Sequence, residues 1–346
     1  MTMTQTYFEW LSQASPSVQL QQLISGHWIA QAIAVAAELG IADLLAEGPR
    51  SSDDLAQAAG CHAGALYRLL RALASMGVFT EVEPKRFGLT PMAEMLRADA
   101  PVSVRSRVIH TCSDVPWRIW GQLSYSVRTG RPAFEHIFGM GEWEYRARNP
   151  EVNARFNACE TSLVTQVANA VASAYDFSGF GRLIDVGGGH GALLVAILSV
   201  NPELRAVLFD LPHVIEGARE SLVAAGLLER CAIVGGDMFE AVPAGGGAYL
   251  LSRIIHGWDS DRTVDILANC RRVMGPYSKP LLAEELIPSG DVPAYGKLTD
   301  LNMLVSAGGQ ERTEAEYRAL YAAAGFTLTR VISTRSRISL IEGTPV

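Results

Sequence analysis

The chain has 346 residues, 49% of them hydrophobic and 19% charged, with 29 Lys and Arg against 36 Asp and Glu for a net charge of −7. Single cores stop growing near about 250–300 residues, so two domains are expected. The composition excludes long disordered segments, and the acidic balance argues against nucleic acid or an anionic membrane surface as a partner. The longest unbroken apolar run, Ala192 to Leu198, is far short of the roughly 18 residues of a membrane span. Met1 to Trp10 has no basic start of the kind an export signal needs. Five widely spaced cysteines, Cys61, Cys112, Cys159, Cys231 and Cys270, form no CxxC pair, which predicts reduced thiols, a cytoplasmic protein and no metal.

The first hundred residues read as helices. Leu66, Leu69, Leu70, Leu73 and Met76 share one helical face, Gly77 suits a left-handed cap, and Ser51 with Asp54 suits a capping box for the preceding helix. Val78 to Val82 and Arg86 to Leu89 flank Glu83, Pro84 and Lys85 as a hairpin, giving the outline of a winged helix. Residues 1–110 carry eight Lys or Arg against ten Asp or Glu, so this module reads as one for packing or dimerisation rather than for DNA. A connector follows in which Trp117, Trp120, Phe134, Phe138, Trp143 and Phe156 crowd together, mostly as core, with a few left to line a pocket for a flat ligand.

From about Arg182 short apolar runs alternate with helical stretches. Leu183 to Val186, Ala206 to Asp210, Ala232 to Val234, Tyr249 to Ser252 and Leu281 to Glu284 read as strands; Ala192 to Val200, Val214 to Ala225 and Asp261 to Val273 read as helices. The alternation predicts a parallel sheet covered on both faces, an α/β fold of the Rossmann-like type. The run Ala244 to Ala248 reads as a flexible turn before a strand.

Asp185-Val186-Gly187-Gly188-Gly189-His190-Gly191 ends the first of these strands and opens a helix, where backbone N–H groups and the helix N-terminus receive a ligand. Gly187, Gly189 and Gly191 fit the GxGxG of S-adenosylmethionine enzymes, and Gly187, Gly189 and Ala192 equally fit the dinucleotide pattern. Asp210 ends the next strand, where a carboxylate accepts both hydroxyls of a ribose in either cofactor. Asp237, Met238 and Phe239 follow the third strand, a set suited to an adenine and equally to a capped turn with two core residues. His256 lies just past the fourth strand, where reacting groups gather and where an imidazole with a pKa near 6.5 suits a general base.

In order and spacing these segments resemble the bacterial and plant small-molecule O-methyltransferases of the caffeate and hydroxyindole type, over nearly the whole chain. The resemblance is carried by Gly40-Ile41-Ala42-Asp43-Leu44-Leu45, Arg131-Pro132-Ala133-Phe134, Phe156-Asn157, the glycine loop, Phe209-Asp210-Leu211-Pro212, Gly236-Asp237-Met238-Phe239, His256 with Trp258, Ala283-Glu284 and Gly308-Gly309-Gln310-Glu311-Arg312-Thr313. It implies a class I methyltransferase sheet in residues 113–346, preceded by a mostly helical, winged-helix-like dimerisation domain in residues 1–112. The implied cofactor is S-adenosyl-L-methionine, held by Asp185, Gly187, Gly189, Gly191, Asp210, Leu211, Asp237, Met238 and Phe239, with Ser252 and Arg253 at its edge. His256 matches the family's base, and Glu284 and Glu311 match the carboxylates flanking it. Trp143, Phe156, Glu160, Asn302 and Met303 stand at acceptor-facing positions of a small-molecule site, and the implied assembly is a homodimer.

Three positions depart from the family pattern: Gly257 where many relatives have Asp, Ser252 where plant members have Lys, and Glu160 where a Met commonly faces the acceptor. Glu160 reads either as favouring a polar or cationic acceptor or as a solvent-facing helix residue. The expected activity is methylation of a hydroxyl on a small aromatic specialised metabolite. N- or C-methylation, cofactor use without transfer, a nicotinamide dehydrogenase and a winged-helix regulator are the alternatives.

Overall fold

The computed structural model describes residues 6–346; the first part of the Met1–Trp10 stretch lies outside the described residues. The chain divides into two compact units, up to Trp117 and from Arg118 onward, where the sequence suggested a division after residue 112.

In the first unit the helices Ser52–Ala59 and Ala63–Ser75 precede a hairpin of strands β2 (Phe79–Glu83) and β3 (Arg86–Leu89), and the short β1 (Arg50–Ser51) adds to β3. Leu66, Leu70 and Leu73 are buried with Leu55, Phe79 and Phe87, while Leu69 and Met76 pack at the margin. The period-3.6 face is thus the one that builds the core. Gly77 follows the helix in the left-handed conformation (φ 78°). Only half of the expected capping box forms: Ser51 Oγ accepts from Asp54 N–H and turns its own hydroxyl hydrogen to the Asp54 carboxylate, so Asp54 does not reach back to the cap backbone.

The second unit is built on a seven-stranded sheet of β4 (Arg182–Val186), β5 (Arg205–Asp210), β6 (Cys231–Gly235), β7 (Ala248–Ser252), β8 (Lys279–Glu285), β9 (Phe326–Ser333) and β10 (Ile338–Pro345), in the order β6-β5-β4-β7-β8-β10-β9. Strands β4 to β8 are parallel, as expected. The parallel reading fails at one edge, where β10 inserts antiparallel between β8 and β9. Alternate side chains feed two apolar layers. Leu183, Leu208 and Leu250 face the helices Pro150–Ala174 and Ala192–Val200; Ile184, Val207 and Leu251 face Ser260–Val273 and Glu314–Ala323. Burying both faces is what makes these strands nearly continuous apolar runs, each buried Leu or Ile contributing about 1.5–3 kcal/mol.

Two local expectations are corrected. The stretch Val214 to Ala225 is two short helices, Pro212–Ile215 and Ala218–Ala224. The Ala244–Ala248 run is a close-packed entry to β7 rather than a flexible turn: a Cβ on Gly247 would lie 2.3 Å from the Phe180 carbonyl oxygen, and Gly246 is buried against Ile184. Strand order places the carboxyl ends of β4, β5, β6 and β7 side by side, the edge at which open α/β sheets bind ligands.

Candidate active site

The glycine loop leaves β4 with Gly187 at φ 73°, where a Cβ would meet Ile254 Cδ1 at 2.3 Å. Gly189, at φ 56°, faces open space, with no heavy atom within 4 Å of where its Cβ would stand. Its N–H donates to Asp210 Oδ2 at 2.8 Å, and Leu211 N–H donates to Asp210 Oδ1 at 2.7 Å. Both carboxylate oxygens are thereby aimed while each keeps an acceptor site. Asp185 is buried with Oδ1 unpartnered among the described residues. Its carboxyl is pushed up to about 7 by burial and then by the nearby Asp210 charge. An unpaired buried acceptor at the base of a loop that is open at Gly189 is what a ligand carrying N–H donors would complete, so the loop fits the methionine portion of an S-adenosylmethionine cofactor.

Beyond β6, Asp237 Oδ1 accepts from Phe239 N–H at 2.8 Å. The amide nitrogen of Asn269 donates to both the Met238 and Phe239 carbonyls, each at 2.8 Å. Asn269 was missed in the sequence, where the one signal was an Asn, a poor helix former, inside the Asp261–Val273 helical stretch; the structure shows it buried. Phe239 packs edge-on to Trp258 and carries the Arg262 guanidinium over its ring at 3.6 Å.

His256 follows β7 in a short turn and is 6% exposed. Its Nδ1 lies 2.7 Å from Glu311 Oε1. A carboxylate only accepts, so Nδ1 holds a hydrogen, and in the neutral imidazole Nε2 keeps its lone pair. Burial depresses the imidazole, but the Glu311 and Glu284 charges and the Glu311 hydrogen bond outweigh it, and the net direction is upward. Glu284 is fully buried on β8, accepts Ile255 N–H at 2.8 Å and is pushed up to about 7 by desolvation. One donor atom from each of the three lies within 4.8 Å of the others. With Nδ1 already engaged by Glu311, this arrangement is suited to handling a proton.

Two residues absent from the sequence-based site hold the dyad together. Arg312, 1% exposed, donates to the carbonyls of Ile255, Gln310 and Trp258 at 3.1, 3.1 and 2.9 Å, tying the His256 segment to the Glu311 segment. Gly309 lets the two backbones meet: a Cβ there would stand 2.0 Å from the His256 carbonyl oxygen. Both stand in the Gly308–Thr313 segment that carries the family resemblance, but nothing local assigns their roles, because the partners lie some fifty residues away.

Of the acceptor-facing candidates, Trp143 and Phe156 meet edge-on, Trp143 stacks on Trp258, and Trp143 lies 3.7 Å from where a Gly257 Cβ would be. Glu160 faces inward, since its Oε2 accepts from Arg253 Nε at 3.2 Å. The Arg146 guanidinium, missed in the sequence despite its i,i+4 pairing with Glu142, covers the Phe156 ring at 3.2 Å. Asn302 accepts the Trp120 indole N–H at 2.8 Å. Met303 lies beside it on the Gly296–Val305 helix, partly buried. Ser252 ends β7, paired in register with Ala283.

An O-methyltransferase domain model matches residues 120–327, and an O-methyltransferase dimerisation domain model matches residues 21–99. The phenazine O-methyltransferase PhzM of Lysobacter antibioticus is 46% identical over 327 residues, 94% of this chain and 96% of that protein. The mitomycin biosynthesis 6-O-methyltransferase of Streptomyces lavendulae is 39% identical over 321 residues, 92% and 91% of the two chains. Among solved structures, the O-methyltransferase NcsB1 from neocarzinostatin biosynthesis, in complex with S-adenosylmethionine and 2-hydroxy-5-methyl naphthoic acid, superposes with a TM-score of 0.80 at 33% identity, covering 92% of this chain and 96% of that one. With a helical dimerisation unit, a seven-stranded sheet and a glycine loop at its carboxyl edge, this chain belongs to the O-methyltransferase family.

Proposed function

We propose that this S-adenosylmethionine-dependent O-methyltransferase methylates a hydroxyl of a small aromatic specialised metabolite, with His256 as the general base. The observation that carries the reading is the buried Glu311–His256 pair, which leaves Nε2 free to accept a proton at the carboxyl edge of the sheet. The cofactor, when bound, supplies a methyl group on a cationic sulfur open to in-line attack. Asp185 and the Gly187–Gly191 loop hold its methionine end, Asp210 with Leu211 its ribose, and Asp237, Met238 and Phe239 its adenine, with Ser252 and Arg253 at the edge. His256 Nε2 takes the hydroxyl proton as the oxygen becomes nucleophilic, and Glu311 and Glu284 stabilise the imidazolium. Trp143 and Phe156 offer flat apolar surface to the acceptor ring, with Asn302 and Met303 at its margin.

The test is direct. With S-adenosylmethionine and a panel of hydroxyarenes, the product gains the mass of one methylene unit, and NMR places the new methyl on oxygen. A methyl on nitrogen or carbon overturns the reading.

Asp210→Ala is expected to weaken cofactor affinity by about tenfold or more, since it removes a charged acceptor that two backbone N–H groups aim. Calorimetry with S-adenosylhomocysteine checks this, and an unchanged Kd rejects the ribose role.

The working assembly we infer is a homodimer formed through the first unit, whose helices expose Leu20, Leu23, Ile24 and Trp28 within or beside the matched dimerisation segment. Contiguous exposed apolar residues of this kind mark association surfaces. Light scattering should give twice the 37.3 kDa chain mass, and a monomer at micromolar concentration contradicts it.

A further inference from the structure

Glu160 is a carboxylate that the proposed reaction does not use. It stands one helical turn beyond Phe156 on the Pro150–Ala174 helix, the same helix that delivers Phe156 to Trp143 and the Arg146 guanidinium. Only Oε2 is engaged among the described residues, by Arg253 Nε at 3.2 Å, and the side chain keeps 31% of its surface exposed. Its partner is held at a cost. Arg253 is the residue directly after β7, three before His256, and it sits at φ 56°, a conformation unfavourable for a residue with a Cβ. Its backbone N–H is locked to the Ala283 carbonyl at 3.0 Å, and its side chain is 8% exposed. Strain of this kind persists where the surroundings enforce it, and it concentrates at functional sites.

Burial works against the Glu160 charge, but Arg253, His256 and Arg146 more than offset it, and the group is held below the ordinary carboxylate range. The result is an ionised carboxylate with one oxygen fixed and the other uncommitted, electrostatically coupled to His256. A solvent-facing helix residue would show neither the buried arginine partner nor that coupling.

We propose that Glu160 reads the acceptor: its uncommitted Oε1 accepts a hydrogen bond from a second donor on the aromatic ring, so that the preferred substrates are hydroxyarenes bearing an additional amino or phenolic hydroxyl group. This assignment rests on the acceptor being an aromatic hydroxyl compound. Hydrogen bonds to a charged acceptor are the strong ones, and an unmet carboxylate beside a bound ring is penalised, which makes the discrimination work in both directions.

The test uses the full chain saturated with S-adenosylhomocysteine and four probes: phenol, guaiacol, catechol and ortho-aminophenol. Affinities come from ligand-observed NMR titration. The wild type should bind catechol and ortho-aminophenol about tenfold or more tighter than phenol and guaiacol. Glu160→Met should shrink that ratio to within about threefold by weakening only the donor-bearing probes, and Glu160→Gln should fall between the two. Wild-type far-UV circular dichroism in both variants certifies the fold. The assignment is overturned if the wild type shows no preference, or if both variants weaken all four probes alike. Should the binding preference hold while the same probes, incubated with S-adenosylmethionine in place of S-adenosylhomocysteine, gain their methyl on nitrogen or carbon, the O-methylation reading fails and the Glu160 assignment stands.

Discussion

Replacing His256 with alanine is expected to lower kcat by about 10²–10⁴-fold, the usual worth of a positioned general base, while the Kd for S-adenosylhomocysteine stays within a few-fold. The separation follows from the geometry: the proposed cofactor groups on β4, β5 and β6 do not use the imidazole. The pH profile adds a second reading of the same claim. An imidazole accepts a proton only when neutral, and the Glu311 and Glu284 charges outweigh burial and raise the His256 pKa. Activity should therefore climb with pH along a limb centred above the ordinary imidazole value near 6.5. Glu311→Gln removes the largest upward influence, so the limb moves to lower pH even as kcat falls. A merely structural Glu311 would lower kcat without moving the limb.

Gly309→Ala is expected to damage the enzyme almost as severely from a position that touches no reacting group. The added Cβ would stand 2.0 Å from the His256 carbonyl oxygen, 2.5 Å from the Gly257 carbonyl carbon and 2.6 Å from the Trp258 nitrogen. All three are backbone atoms, so no side chain can swing aside. The two segments must separate, stretching the hydrogen bond from Gln310 N–H to the His256 carbonyl, now 2.8 Å, and those that Arg312 donates to Ile255 and Trp258. Overpacking of this kind costs about 1–3 kcal/mol, which urea denaturation will register. Because Glu311 and His256 sit on opposite sides of that seam, kcat should drop by about 10²-fold, in line with losing base assistance. Cofactor affinity should fall less than kcat, since the seam reaches the cofactor groups only through the Trp258 ring against Phe239. A variant with wild-type kcat would show that the seam does not position the dyad.

The contrast between these two residues separates what is legible in the sequence from what only the fold brings together. His256, Asp210 and the Gly187–Gly191 loop announce themselves locally, because a polar or glycine residue just after an apolar strand is conspicuous and the sheet edge gives it meaning. Gly309 and Arg312 belong to a segment that carries the resemblance, but they act mainly through partners far away in the chain, and the role of Arg312 shows only once it is found 1% exposed under three carbonyls. The flexible-turn reading of Ala244–Ala248 failed for the same reason: glycines that make a loop supple in isolation are required here because Phe180 and Ile184 press against them. The edge hairpin was a different omission. Ile338–Pro345 alternates inward and outward side chains at its start, but an antiparallel strand inserted between β8 and β9 is a long-range choice that local alternation does not specify. Glu160 is ambiguous in the sequence, and its Arg253 partner, 93 residues along the chain, settles which way it faces.

His256 can serve as the base only if the acceptor hydroxyl is delivered to its Nε2. A crystal structure with S-adenosylhomocysteine and a methylatable hydroxyarene tests it most directly. The hydroxyl oxygen is expected within hydrogen-bond reach of Nε2, about 2.6–3.2 Å, and turned toward the cofactor sulfur. A hydroxyl facing the sulfur but bonded to another side chain, with His256 out of reach, would contradict it.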